Sequence, residues 1–239
     1  MAELPTAHWQ EFASPAQLVA ALADSLAEDF RDAVAARGAM LFGASGGSTP
    51  KPVYERLAAM DLPWASLTVL IVDERFVPLD DEFSNQRMIV ASLLRGHTEA
   101  KCIGLWSAAA TLDAAAMFAA ERVQAIGRCM DTVLLGMGED GHFASCFPTA
   151  TQFAAAVAPD TADHVLSIAP MPPGVFPARE RLTLTWSYIR QARRIVLALT
   201  GVRKREVLLR AMHDQDPARL PIAALFKTGM PQIEIYWSQ

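Results

Sequence analysis

The chain has 239 residues, 52% of them hydrophobic and 20% charged, with a formal net charge of −5. That length and composition fit one large globular α/β domain over 1–239 and exclude a disordered or fibrous chain. The acidic balance without a basic stripe argues against a nucleic-acid partner, and no apolar stretch reaches the length of a bilayer span.

The N-terminal MAELPTAHWQEF lacks a basic region followed by an apolar run, so no signal peptide is expected. Ser14-Pro15-Ala16-Gln17 reads as a helix start: a capping serine, a first-turn proline and a glutamine three residues after the cap. The alanine-rich run carries this helix to about Arg37, and Gly38 ends it. A short buried strand at 39–43 runs into Gly43-Ala44-Ser45-Gly46-Gly47-Ser48-Thr49-Pro50, followed by a helix over about 51–60. A second buried strand, 67–72, ends in Asp73-Glu74-Arg75; a helix capped at Ser84 then runs to about Arg95.

A helix over 112–128 leads to a strand over 130–135 and then to GMGEDGH, where His142 sits among glycines beside Glu139 and Asp140. The segment 149–180 is proline-rich and irregular, with one strand at 165–168. Strands follow at 182–185 and 194–200, then a helix from Val202 to about Met212, and a last strand at 233–237. Cys102, Cys129 and Cys146 form no CxxC or CxxH spacing. Neither a zinc site nor a disulfide framework is indicated, and reduced thiols in the cytoplasm are expected.

Strands that alternate with helices and are continuously apolar imply an α/β fold: a doubly wound, mainly parallel sheet with helices on both faces. In such a sheet GASGGSTP, DERFVP, GMGEDGH and GVRK all reach the carboxyl edge, where ligands bind. Each cluster taken singly has an ordinary structural explanation, and their convergence is the argument for a site.

Gly46, Gly47, Ser48 and Thr49 suit an anion cradle at a helix N-terminus, without the lysine of a nucleotide P-loop. Lys204 lies in a first helical turn, where the helix dipole disfavours a cation unless a bound anion compensates. Arg181 is a candidate second-shell or anion-binding group. Arg75 suits a phosphate or a developing oxyanion, and Asp73 can hold a histidine or carry a proton. His8, His97, His164 and His213 lack such a setting, and Phe143 and Phe147 read as packing residues.

In this order and spacing, GASGGSTP, VDERFVPLDDEFSN, LLGMGEDGHFASCFP, RLTLT and GVRKREVL resemble the 6-phosphogluconolactonase family, within the larger group of sugar-phosphate isomerases and deaminases with a modified Rossmann fold. The resemblance covers about residues 15–237 and implies a carboxylic ester hydrolase acting on a small sugar-phosphate lactone in the oxidative pentose phosphate pathway. It implies no metal or cofactor, and a monomer or small homo-oligomer. His142 would be the general base and Asp73 its orienting or tuning carboxylate, with Glu139 and Asp140 shaping the loop. Arg75 would serve phosphate or oxyanion; Gly46, Gly47, Ser48, Thr49 and Lys204, with Arg181, would bind the phosphate. The usual loop reads close to DGHTASLFP, so Phe143 and Cys146 are substitutions expected to alter pocket shape. A glucosamine-6-phosphate deaminase or related isomerase is the alternative, and a non-catalytic sugar-phosphate-binding protein a more distant one.

Overall fold

The computed structural model describes residues 7–227 and 229–239. The reading of the N-terminus therefore lies partly, at residues 1–6, outside the described residues. Ten strands are described: β1 (Ala7–Phe12), β2 (Met40–Ala44), β3 (Leu67–Ile71), β4 (Asp73–Arg75), β5 (Lys101–Ile103), β6 (Thr132–Leu135), β7 (Val165–Ile168), β8 (Arg181–Leu184), β9 (Arg194–Thr200) and β10 (Ile233–Ser238). Seven make a parallel sheet in the order β1-β10-β9-β6-β2-β3-β5, and three make a second sheet in the order β4-β8-β7. Every residue of β2 and β6 is buried, as the unbroken apolar runs require of strands covered on both faces.

The helices are α1 (Pro15–Arg37), α2 (Pro50–Leu57), α3 (Asn85–Ser92), α4 (Leu112–Gln124), α5 (Phe153–Val157), α6 (Trp186–Ile189) and α7 (Val202–Asp214). α1 begins and ends as its sequence demands. Ser14 Oγ accepts from the Gln17 amide, Gln17 Oε1 accepts from the Ala13 amide, and Gly38 closes the helix at φ 75°. Its apolar stripe, Leu18, Leu22, Leu26, Phe30 and Ala33, is buried at helical spacing. Helices α2, α3 and α4 stop three or four residues short of their expected ends.

The predicted strand 39–43 is displaced by one residue, and those at 165–168 and 194–200 stand as read. Four short elements carry too little pattern to be seen in the sequence: β1 and β5 at the two edges of the large sheet, α5 within 149–180, and α6 after β8. The Asp73-Glu74-Arg75 cluster needs a correction. Read as the end of the strand 67–72, it forms a separate strand, β4, antiparallel to β8, in the second sheet. The chain leaves the large sheet at Val72, whose carbonyl accepts from the Leu184 amide, so the small sheet grows from the carboxyl end of β3.

Side chains alternate along a strand, so within β4 Glu74 points away from Asp73 and Arg75. Glu74 is fully buried and accepts four hydrogen bonds: from the amides of Arg75, Asn85 and Gln86 at 2.7–2.8 Å, and from Ser84 Oγ at 3.0 Å. Burial raises its carboxyl above the ordinary value, while all four donors favour the ionised form. This carboxylate caps α3 and fixes the loop 76–84. Glu74→Gln replaces an acceptor-only group with one carrying two donors, and is expected to destabilise the fold by about 2 kcal/mol in denaturant titration; wild-type stability would remove Glu74 from this role.

Candidate active site

In chain order β2, β3 and β5 step one way across the sheet while β6, β9 and β10 step the other, so the winding reverses between β2 and β6. At such a switch the connections after the two strands diverge and leave a crevice at the carboxyl edge. An open pocket of about 170 Å³ lies there. It is lined by Ser45–Pro50 after β2, by Gly136–Gly138, His142 and Ala144 after β6, by Asp73, Arg75 and Asn85 beyond β3, by Arg181, and by Lys204 after β9. The structure thus gathers all nine predicted site residues: His142, Asp73, Arg75, Gly46, Gly47, Ser48, Thr49, Lys204 and Arg181.

The loop after β6 is built to present one imidazole. The Gly138 amide bonds to the His142 carbonyl at 2.9 Å, and Gly141 turns the chain at φ 81°. A Cβ on Gly138 would overlap the His142 ring and the Asp140 carboxylate, so only glycine lets the loop close on its own histidine. Asp140 Oδ1 accepts from the His142 amide and lies 2.6 Å from His142 Nδ1. A carboxylate only accepts, so Nδ1 carries the proton and Nε2 presents its lone pair. Burial alone would raise the Asp140 carboxyl, but the hydrogen bond and charge of His142 outweigh it and hold Asp140 below the ordinary value.

The carboxylate bonded to the imidazole is thus not Asp73. The imidazole is held by Asp140, two residues away, and Asp73 has other partners. Asp73 Oδ2 accepts from the buried Ser145 Oγ at 2.6 Å, and Asn85 Nδ2 reaches the Asp73 carbonyl at 2.7 Å and Oδ1 at 3.4 Å. The two substitutions of the histidine loop also turn away from the pocket lining. Phe143 and Cys146 are wholly buried; Phe143 packs edge-on to Trp186 at 6.0 Å, and neither lines the cavity. Phe147 is buried too, yet its ring lies 4.5 Å from that of His142 and 5.9 Å from the Arg181 guanidinium.

Arg75 and Arg181 are direct cross-strand partners. Like charges so placed are unfavourable unless something negative joins them. Burial pushes Arg181 down to about 10, with Asp73 and Glu74 pulling it up and Arg75 pushing it further down, so it is still a cation at neutral pH. Arg75 gives one bond, Nη1 to the Phe83 carbonyl at 2.7 Å, and its buried Nε has no partner among the described residues. This side of the pocket therefore suits an anion, with its donors already placed.

The opposite side offers a second. Among the described helices of eight residues or more, α2 and α7 are the two without a side-chain cap. Both begin at the pocket, so their free amides and positive dipole ends face it. Gly46 is obligatory, since a Cβ there would overlap the Asn85 amide. Thr49 Oγ1 meets Thr200 Oγ1 at 3.4 Å, joining the two helix starts. Lys204 sits in the first turn of α7; burial lowers its ammonium below the ordinary lysine value, while Glu139 and Asp140 pull it back. Ser45, Asn85 and Ala144 line the pocket without having been singled out, and Asp140, expected only to shape the loop, is bonded to His142. Asp140 was visible in the sequence, but its bond to His142 depends on how tightly the glycine loop folds.

The family described as glucosamine-6-phosphate isomerases/6-phosphogluconolactonase matches residues 13–237. A 6-phosphogluconolactonase of Rhizobium meliloti (strain 1021) is 39% identical over 234 residues, 98% of this chain and 99% of that protein. One of Caulobacter vibrioides is 37% identical over 231 residues, covering 96% and 97%. The crystal structure of a 6-phosphogluconolactonase from Shewanella baltica OS155 superposes with a TM-score of 0.91 at 31% identity, covering 99% of each chain. With its sheet order, its switch-point pocket and these likenesses, the chain belongs to the glucosamine-6-phosphate isomerase/6-phosphogluconolactonase family.

Proposed function

We propose that the chain hydrolyses 6-phospho-D-glucono-1,5-lactone to 6-phosphogluconate, in the oxidative pentose phosphate pathway. The names its relatives carry support the reaction. The observation that carries the chemistry is an imidazole tied through Nδ1 to Asp140, in a pocket with an arginine pair on one side and two uncapped helix starts on the other. A δ-lactone is an activated ester, so a base for water and a cation for the oxyanion are sufficient.

In this reading the phosphate rests on Gly46, Gly47, Ser48, Thr49 and Lys204, and holding it there positions the ring at His142. His142 Nε2 takes a proton as a water oxygen bonds to the lactone carbonyl carbon. The carbonyl electrons move onto oxygen, which Arg75 and Arg181 receive. The tetrahedral centre then collapses, the ring C–O bond breaks, and the leaving oxygen takes the proton back from the imidazolium. Asp140 holds the ring and balances its charge in between. Asp73, fixed by Ser145 and Asn85, offers a carboxylate to the sugar hydroxyls beside the arginine pair. A cytoplasmic setting accords with three free cysteines.

The test is lactone hydrolysis above its spontaneous background, with ammonia release from glucosamine 6-phosphate as the contrasting assay. His142→Ala is expected to lower kcat by roughly 10²–10⁴ with the fold intact; near-normal turnover would remove the base assignment. Asp140→Asn should lower kcat at least about tenfold by disturbing the tautomer, with KM little changed. Equal loss from Asp73→Asn and none from Asp140→Asn would return the orienting role to Asp73. Lys204→Ala should raise KM. Because burial lowers the Lys204 ammonium, its charge, and with it the affinity for 6-phosphogluconate, should fade on the alkaline side sooner than an ordinary lysine would allow. Calorimetry against pH checks this, and a Lys204→Arg protein with the same alkaline decline would refute it.

A further inference from the structure

Arg75 and Arg181 are each held from behind by backbone carbonyls. Arg75 Nη1 donates to the Phe83 carbonyl at 2.7 Å, in the loop that follows β4. Arg181 donates from Nε to the Arg179 carbonyl at 3.1 Å and from Nη2 to the Pro177 carbonyl at 3.2 Å, in the loop that precedes β8. β4 and β8 are antiparallel partners, so these loops leave the same end of one ribbon. They are stitched at the base by the Phe76 amide donating to the Glu180 carbonyl at 2.8 Å. Farther out they meet again where Phe83 and Phe176 pack edge-to-face, with centroids 5.3 Å apart.

Phe176 keeps 81% of its surface in solvent, so this contact is not core packing, and truncating it leaves no cavity. What the contact does is join the two segments whose carbonyls aim the two guanidiniums. Without it each arginine keeps its own tether, but the distance between them is set by the ribbon alone, against their mutual repulsion. We propose that Phe83 and Phe176 are positioning residues: an aromatic clasp that sets the spacing of Arg75 and Arg181 at the reacting end of the pocket. The inference rests on the lactonase reading above, in which that pair receives the oxyanion.

The experiment is a double-mutant cycle on the full chain with Phe83→Ala, Phe176→Ala and both together. Each single change should lower kcat by roughly 2- to 10-fold, the strength of an edge-to-face pair, with KM for the lactone within about twofold. The double variant should lose no more than the worse single, and Phe176→Tyr, which keeps the ring, should retain wild-type kcat. The thermal midpoint should stay within about 2 °C. Unchanged kcat in the single variants or multiplicative losses in the double would each overturn the clasp. A wild-type protein that does not hydrolyse the lactone would instead remove the lactonase reading, a failure distinct from active wild type with unaffected variants.

Discussion

The reversal of winding between β2 and β6 is the constraint on which the site depends. Strands that step in opposite directions cannot have their connections cross the same ground, so the carboxyl edge opens between them. Into that gap the β2 turn brings glycines and a helix start, the β6 turn brings His142, and β9 contributes the turn that places Lys204. The departure of the chain from β3 closes the remaining side. By pairing β4 with β8 it brings Arg75 and Arg181 to opposite positions on a small ribbon facing the gap. The large sheet supplies position, and the small one supplies charge.

Within the site, the polar groups divide by what they touch. Asp140 and Gly138 serve the imidazole, one through a 2.6 Å hydrogen bond and the other by having no side chain. Asp73 is fixed by Ser145 and Asn85, so it is a rigid wall group rather than a mobile partner. Glu74, one residue on, never faces the pocket, because the alternation of a strand turns it into the protein to cap α3. Three consecutive residues of a single motif thus meet three different surroundings: Asp73 is held by Ser145 and Asn85, Glu74 secures a loop, and Arg75 lines the pocket.

Much of this was legible in the chain because it is local. The α1 boundaries follow from a serine, a proline, a glutamine and a glycine, and β9 from five apolar residues in a row. The convergence of four strand ends follows from parallel topology. What was not legible depends on contacts between distant residues or on fine loop geometry. Nothing near Asp73 in sequence announces Ser145, 72 positions away, as its partner. Asp140 was assigned to loop shaping because its bond to His142 requires the close approach that Gly138 permits. The exclusion of Phe143 and Cys146 from the pocket likewise depends on which way a glycine-rich turn faces. The edge strands β1 and β5 are too short or too weakly patterned to stand out without their neighbours.

The bare starts of α2 and α7 have a consequence outside catalysis. Backbone amides that a serine or threonine satisfies at the starts of α1, α3, α4 and α6 have no side-chain cap here. Binding that occurs only in the folded state adds its free energy to folding. Were a sugar phosphate to take those amides, the empty protein would be the frailer form, and the occupied one would resist local opening and the proteases that exploit it. The supply of sugar phosphate would govern the working lifetime of the catalyst as well as its rate, so that a cell short of flux through this step would also hold on to less of the protein.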